Sequence, residues 1–405
     1  MKILIELYDR EPIFNYLATV FYKPEKVYFV GGKRTVSPRC KAKTEKFAQM
    51  MGIGSEFVYR AVKSPDFSGI RAELESVISL EKSKGNNCVI DVTGGSDLSL
   101  VAAGCLMGNG TEIVRYDIKE NRFRNFSTGE SFDVNLKIPC EAFVTAAGGT
   151  IYEESRSNDY SESDWEIIRN LIDVYFDCRD DWNRFVKYLQ RISKKDGEKV
   201  GDTLEIEAPM SFADSGRTYS CNSEIMLALE KAGAVENLEI NRKNDTLKFR
   251  YMSRDIAVLL VNEGIWLELA VYLAGKSSPE FSDVQTGVKF VWDIPQKNNP
   301  LGRILSENTP RNEVDVILTR GVRPVFISCK TRLPANEDLN ELYTIKQKFG
   351  GGLALAVLAT TKRVEKNLPV YERAQEMGIE LLDERFFTDG TVTKELERIA
   401  RKGTA

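Results

Sequence analysis

The chain contains no histidine. That absence removes every mechanism that uses imidazole as base, acid or metal ligand, including Ser-His-Asp hydrolysis and histidine-ligated zinc chemistry. A hydrolase built without histidine must activate water with a hard cation held on carboxylates, or with lysine. A binding protein needs neither. The seven cysteines, at 40, 88, 105, 140, 178, 221 and 329, are scattered and form no CxxC pair, the pattern of unpaired thiols in a reducing cytoplasm. There is no GxGxxG and no GxxxxGK[ST], which disfavours ordinary dinucleotide or ATP chemistry. The opening Met-Lys-Ile-Leu-Ile-Glu-Leu meets charge too soon for a signal peptide, and no apolar run would span a bilayer. The expectation is a cytoplasmic chain with no membrane partner. A net charge near −4 argues against non-specific coating of nucleic acid, so any phosphate binding must come from local basic residues.

What is present is an α/β chain of 405 residues, 42% hydrophobic and 29% charged, long enough for two or three domains. Strand-like runs at 2–7, 26–30, 56–62, 87–92 and 112–117 alternate with amphipathic helices. The run 12–22, with Pro12 at its first turn, is expected to be one such helix. This alternation predicts a Rossmann-like parallel sheet, in which ligands bind at the carboxyl ends of the strands. A Gly/Ser/Asp-rich connection follows near 126–160, then a helix opened by a Ser163-to-Glu166 capping box, a second helical stripe from Trp182 to Ile192, and a polar break at 194–201. Residues 203–255, with a helix at 223–232 and a hairpin at 238–251, read as a small α+β, winged-helix-like module. From 255 a second α/β unit begins: a helix at 255–274, strands at 285–292 and 313–330, a helix at 339–349, a strand at 353–360, a helix at 368–377 and a strand at 380–382. The domain boundaries expected on this reading are 1–150, 151–254 and 255–405.

Three groups of residues carry possible chemistry. The loops after the first and fourth strands are Tyr8-Asp9-Arg10-Glu11 and Thr93-Gly94-Gly95-Ser96-Asp97. The second either offers backbone N–H groups at a helix N-terminus to an anion, or is a tight turn with Ser96 as N-cap. Glu268 interrupts the apolar run 265–273, where a carboxylate is costly unless paired or metal-bound, or it is an exposed stripe. Finally, Asp315 interrupts one apolar strand and Lys330 ends the next, either as strand ends facing water or as the layout of a metal-dependent phosphodiesterase of the PD-(D/E)xK type. Asp315 and Glu268 would hold Mg²⁺ or Mn²⁺, and Lys330 would orient the water or stabilise phosphorane charge. Symmetric pairing about a five-residue loop, 320–324, puts Asp315 opposite Cys329 and so turned away from Ser328 and Lys330. A one-residue change in the loop or a bulge would bring them together.

Taken in order, DVTGGSD after the fourth strand, the GIWLE helix, the NEVDV…ISCK hairpin and the following Gly350-Gly351-Gly352 resemble the CARF-domain ancillary nucleases of type III CRISPR systems, the Can/Card type. The resemblance implies an N-terminal Rossmann-like CARF domain, a small middle region and a C-terminal restriction-endonuclease-like domain. It also implies a homodimer that binds a cyclic oligoadenylate, usually the tetra-adenylate, at residues 8–11 and 93–97. Glu268, Asp315, Ser328 and Lys330 would form the metal-dependent motif that cuts single-stranded RNA or DNA. Ser328 stands where a glutamate is usual in such motifs. The alternative is a catalytically degenerate cyclic-oligoadenylate sensor that binds DNA as a regulator.

Overall fold

The computed structural model describes residues 2–108, 110–153, 160–194, 199–295, 297–306 and 309–402. The first seven strands are β1 (Lys2–Leu7), β2 (Lys26–Gly31), β3 (Glu56–Ala61), β4 (Asn87–Asp91), β5 (Thr111–Asp117), β6 (Arg122–Asn125) and β7 (Ser131–Asp133). They make one sheet of order β3-β2-β1-β4-β5-β6-β7. Its first five strands are parallel, and β6 and β7 return antiparallel. The strands are apolar because both faces are covered by helices, and the order reverses between β1 and β4, where the rule for open α/β sheets places a ligand.

The expected helix 12–22 is broken. Pro12–Asn15 is a 3₁₀ turn and the α-helix runs only over Leu17–Tyr22. The cause is Asn15, whose buried amide donates to the carbonyls of Asp9, Glu11 and Pro12 at 3.1–3.2 Å and accepts from the Asp9 N–H at 2.7 Å. A side chain that satisfies four backbone groups of the preceding loop takes the place of a continued helical ladder.

The helix Cys140–Ala146 leads to β8 (Thr150–Glu153), which joins the second large sheet rather than the first. Residues 154–159 of the Gly/Ser/Asp-rich connection and 195–198 of the polar break lie outside the described residues. The two expected helical stretches between them are one helix, Glu162–Ile192, capped by Ser161 rather than Ser163. In the middle region β9 (Glu205–Pro209), β12 (Val235–Asn241) and β13 (Thr246–Tyr251) form a three-stranded antiparallel sheet of order β12-β13-β9. The separate hairpin β10 (Ser211–Asp214) and β11 (Arg217–Ser220) precedes the helix Ser223–Lys231.

The expected helix 255–274 is two, Arg254–Leu260 and Ile265–Ser277, bent by 116° between them. The second sheet adds β14 (Asp283–Val291), β15 (Arg311–Arg320), β16 (Arg323–Lys330), β17 (Leu355–Thr360) and β18 (Ile379–Leu382), in the order β18-β17-β16-β15-β14-β8. The helices Ile265–Ser277 and Asn336–Phe349 pack on it. Among the described residues no single helix is long and apolar enough to cross a membrane, and none of the seven cysteines is in a disulfide.

Candidate active site

In the second sheet β15 and β16 meet in a two-residue turn. Arg320 pairs with Arg323, and Val316 with Ile327. Gly321 takes φ +62°, a backbone that favours glycine and suits such a turn. The five-residue loop expected from the sequence is therefore corrected. The register shifts by one residue and sets Asp315 beside Ser328, not Cys329. The bonds agree: Asp315 Oδ2 accepts from the Ser328 hydroxyl at 3.2 Å and from the Cys329 N–H at 2.5 Å. Because side chains alternate along a strand, Glu313, Asp315, Ser328 and Lys330 share one face. With Asp338 and Glu341 from the helix Asn336–Phe349, they line a cavity of about 220 Å³.

Glu268 does not line this cavity. It reaches toward it from the helix Ile265–Ser277, between the buried Trp266, Leu267 and Leu269. Burial pushes its carboxyl up to about 8, Asp315 and Glu313 push the same way, and Lys330 opposes them. Burial also raises Asp315, while the Cys329 N–H, Lys330 and the Ser328 hydroxyl pull it back. Acids crowded under partial burial and facing a lysine are the arrangement a cation relieves. Of the other acids there, Asp338 is committed to a two-pronged contact with Arg332 at 2.7 and 3.0 Å and to the Ala335 N–H. Lys346 donates to the Gly378 carbonyl and takes no part in the cavity.

The first sheet carries a larger cavity, about 660 Å³, at the carboxyl ends of its strands. Of the nine residues the sequence placed there, Tyr8, Asp9, Arg10 and Ser96 line it. Glu11 does not: its carboxylate accepts from the Gly352 N–H at 3.1 Å, in the second half of the chain. Gly94 and Gly95 pack beneath, against Asp9 and Leu7. The Gly95 N–H is bonded to Asp9 Oδ2 at 2.5 Å instead of being free for an anion. The Thr93 hydroxyl and N–H are spent on Asp91. Ser96 caps the helix Asp97–Gly104, and Asp97 lies exposed on its first turn. Lys33 and Arg34, which follow β2, line the cavity and were missed. The rule that pointed to the loops after strands one and four applies equally to this Gly-Gly-Lys-Arg turn.

No protein-family model and no curated protein sequence matches the chain. Solved structures do. Protein VC1899 from Vibrio cholerae superposes with a TM-score of 0.73 at 15% identity, over 100% of this chain and 99% of that one. Can2 from Sulfobacillus thermosulfidooxidans, solved in complex with cyclic tetra-adenylate, gives 0.64 at 14% identity over 99% of both. A type III CRISPR defence DNA nuclease activated by cyclic oligoadenylate gives 0.52 at 14% identity, over 100% of this chain and 52% of that one. From end to end, the chain has the multi-domain α/β fold of these solved structures.

Proposed function

We propose that this protein is a nuclease switched on by a cyclic oligoadenylate, cutting single-stranded RNA or DNA by metal-assisted phosphodiester hydrolysis. The observation that carries the reading is the β15–β16 register, which delivers Asp315 and Lys330 to one cavity beside the raised carboxyl of Glu268. The first cavity has the charge for an anionic ligand of that class, with Arg10, Lys33 and Arg34 on its walls. Beside it the helix Asp97–Gly104 turns Leu98 and Val101 to solvent, 48% and 58% exposed. Such a stripe fits burial against a second copy, with the cavities of two protomers side by side.

Among the described residues no group of three Asp, Glu or Cys is placed to hold a metal. Mg²⁺ and Mn²⁺ fit what is there nonetheless, since Mg²⁺ is commonly held by one or two carboxylates with water and substrate phosphate filling the rest. Both bonds to Asp315 fall on Oδ2, leaving Oδ1 for a cation, and Glu268 supplies the second carboxylate. Ser328 serves Asp315 as a hydrogen-bond donor that fixes its rotamer. The cation would acidify a water and screen the phosphate charge. Lys330, at the end of β16, would hold that water or meet the charge developing on phosphorus.

The missing third carboxylate favours a second reading, a sensor whose nuclease half is silent. Cleavage of labelled single-stranded RNA and DNA with Mn²⁺, with and without cyclic tetra-adenylate, separates the two. Ligand-stimulated cleavage that disappears in Asp315→Ala and Lys330→Ala supports the nuclease. Cleavage equal in wild type and both variants sinks the site assignment, and ligand binding without cleavage supports the sensor.

A further inference from the structure

Gly350-Gly351-Gly352 serves neither cavity directly, yet its geometry is demanding. Gly351 takes φ +52°, and a Cβ there would lie 1.6 Å from Glu11 Oε2. A Cβ on Gly350 would lie 2.3 Å from that of Ala354. The glycines let the carboxyl end of the helix Asn336–Phe349 seat itself on the Glu11 carboxylate, which accepts the Gly352 N–H at 3.1 Å. The same helix presents Asp338, Glu341, Leu342 and Ile345 to the second cavity.

At its other side Glu11 belongs to the ligand loop. Its own N–H donates to Asp9 Oδ1 at 2.7 Å, and Asp9 Oδ2 accepts the Gly95 N–H at 2.5 Å. Tyr8, Asp9 and Arg10 line the first cavity while Glu11 points away from it. An anion drawn in by Arg10, Lys33 and Arg34 comes up against the Asp9 carboxylate, whose two oxygens hold the loop in its present shape. Repulsion there is a differential interaction of the kind needed to shift a conformational equilibrium. One carboxylate thus stands between the loop that meets the ligand and the helix that walls the second cavity.

Resting on the reading of the two cavities given above, we propose that Glu11 is a positioning residue for the second cavity, passing movement of the loop 8–11 to the helix Asn336–Phe349 through Gly352. It touches neither ligand nor substrate. The alternative is a contact that only glues the two halves together. Glu11→Gln keeps an acceptor oxygen for Gly352, and Glu11→Ala removes it.

The test compares wild type and both variants by cyclic tetra-adenylate affinity and by hydrogen exchange of amides 346–354, with and without that ligand. The proposal expects all three proteins to bind with affinities within about fivefold of one another. Ligand should change exchange in 346–354 for wild type and Glu11→Gln but not for Glu11→Ala, and Glu11→Ala should lose ligand stimulation of cleavage by about fivefold or more. A wild-type-like exchange response in Glu11→Ala, or binding by wild type with no response in 346–354, overturns the coupling alone. Failure of wild type to bind overturns the ligand reading and the coupling with it.

Discussion

At each sheet two acids with raised pKa come close, and the two pairs are built for opposite ends. In the first sheet Glu6 and Asp91 face each other across β1 and β4, both about 1% exposed. Hydroxyl and backbone groups close them in: Thr19 donates twice to Glu6 Oε1, and Thr93 twice to Asp91 Oδ1. Burial raises both, Asp91 to about 6, and the Asp91 carboxylate pushes Glu6 further up. At the second sheet Asp315 on β15 and Glu268 on the helix packed against it are only partly buried, and Asp315 lines a cavity with Lys330. A raised carboxyl marks a candidate site only when something can reach it. The sealed pair is closed in by threonines of the helix Leu17–Tyr22 and of the turn after β4, whereas Asp315 shares a cavity with a lysine.

The sharpest way to break this contrast is to disable each pair in turn. Asp315→Ala and Lys330→Ala should each lower ligand-stimulated cleavage by about 10²-fold or more, the scale of losing a group that stabilises transition-state charge. Glu6→Gln and Asp91→Asn should leave the chemistry standing. Next, Lys33→Glu and Arg34→Glu should each weaken cyclic tetra-adenylate binding by roughly tenfold to a hundredfold, as expected for a charge-assisted contact. Fluorescence anisotropy with labelled ligand reads that loss. Ser328→Ala should cost about tenfold in cleavage rate, since it removes one hydroxyl donor to the Asp315 carboxylate worth about 1.5 kcal/mol.

The smallest effect is on stability. The folded state keeps a proton on the Glu6–Asp91 pair that the unfolded chain releases above the ordinary aspartate value of 3.8. Stability should therefore fall as pH rises from that value through about 6, and keep falling above it because Glu6 is raised well above its own ordinary 4.5. Urea midpoints across this range should show a shallower fall in Asp91→Asn.

The parallel sheet and the second α/β unit were legible because alternation of apolar strands and amphipathic helices is a local signal. Asp315, Lys330 and Glu268 stood out as polar residues inside apolar runs. Their meeting was not legible, since it rests on a turn of two residues rather than five, decided by the backbone at Gly321. Sequence adjacency groups Glu11 with Tyr8, Asp9 and Arg10, which line the first cavity while Glu11 does not. Its partner lies 341 residues away, and no local pattern carries that. The break after Asn15 is set by one buried amide that outcompetes the helix by bonding the carbonyls of Asp9, Glu11 and Pro12.

The claim at the centre is that the open pair holds a divalent cation and the sealed pair does not. Mn²⁺ titration of the purified protein, followed by calorimetry and by the electron paramagnetic resonance of free Mn²⁺, tests it without relying on turnover. The account predicts binding to wild type and to the Glu6→Gln, Asp91→Asn double variant, and loss of that binding in the Glu268→Gln, Asp315→Asn double variant. Mn²⁺ binding that survives in Glu268→Gln, Asp315→Asn would contradict it.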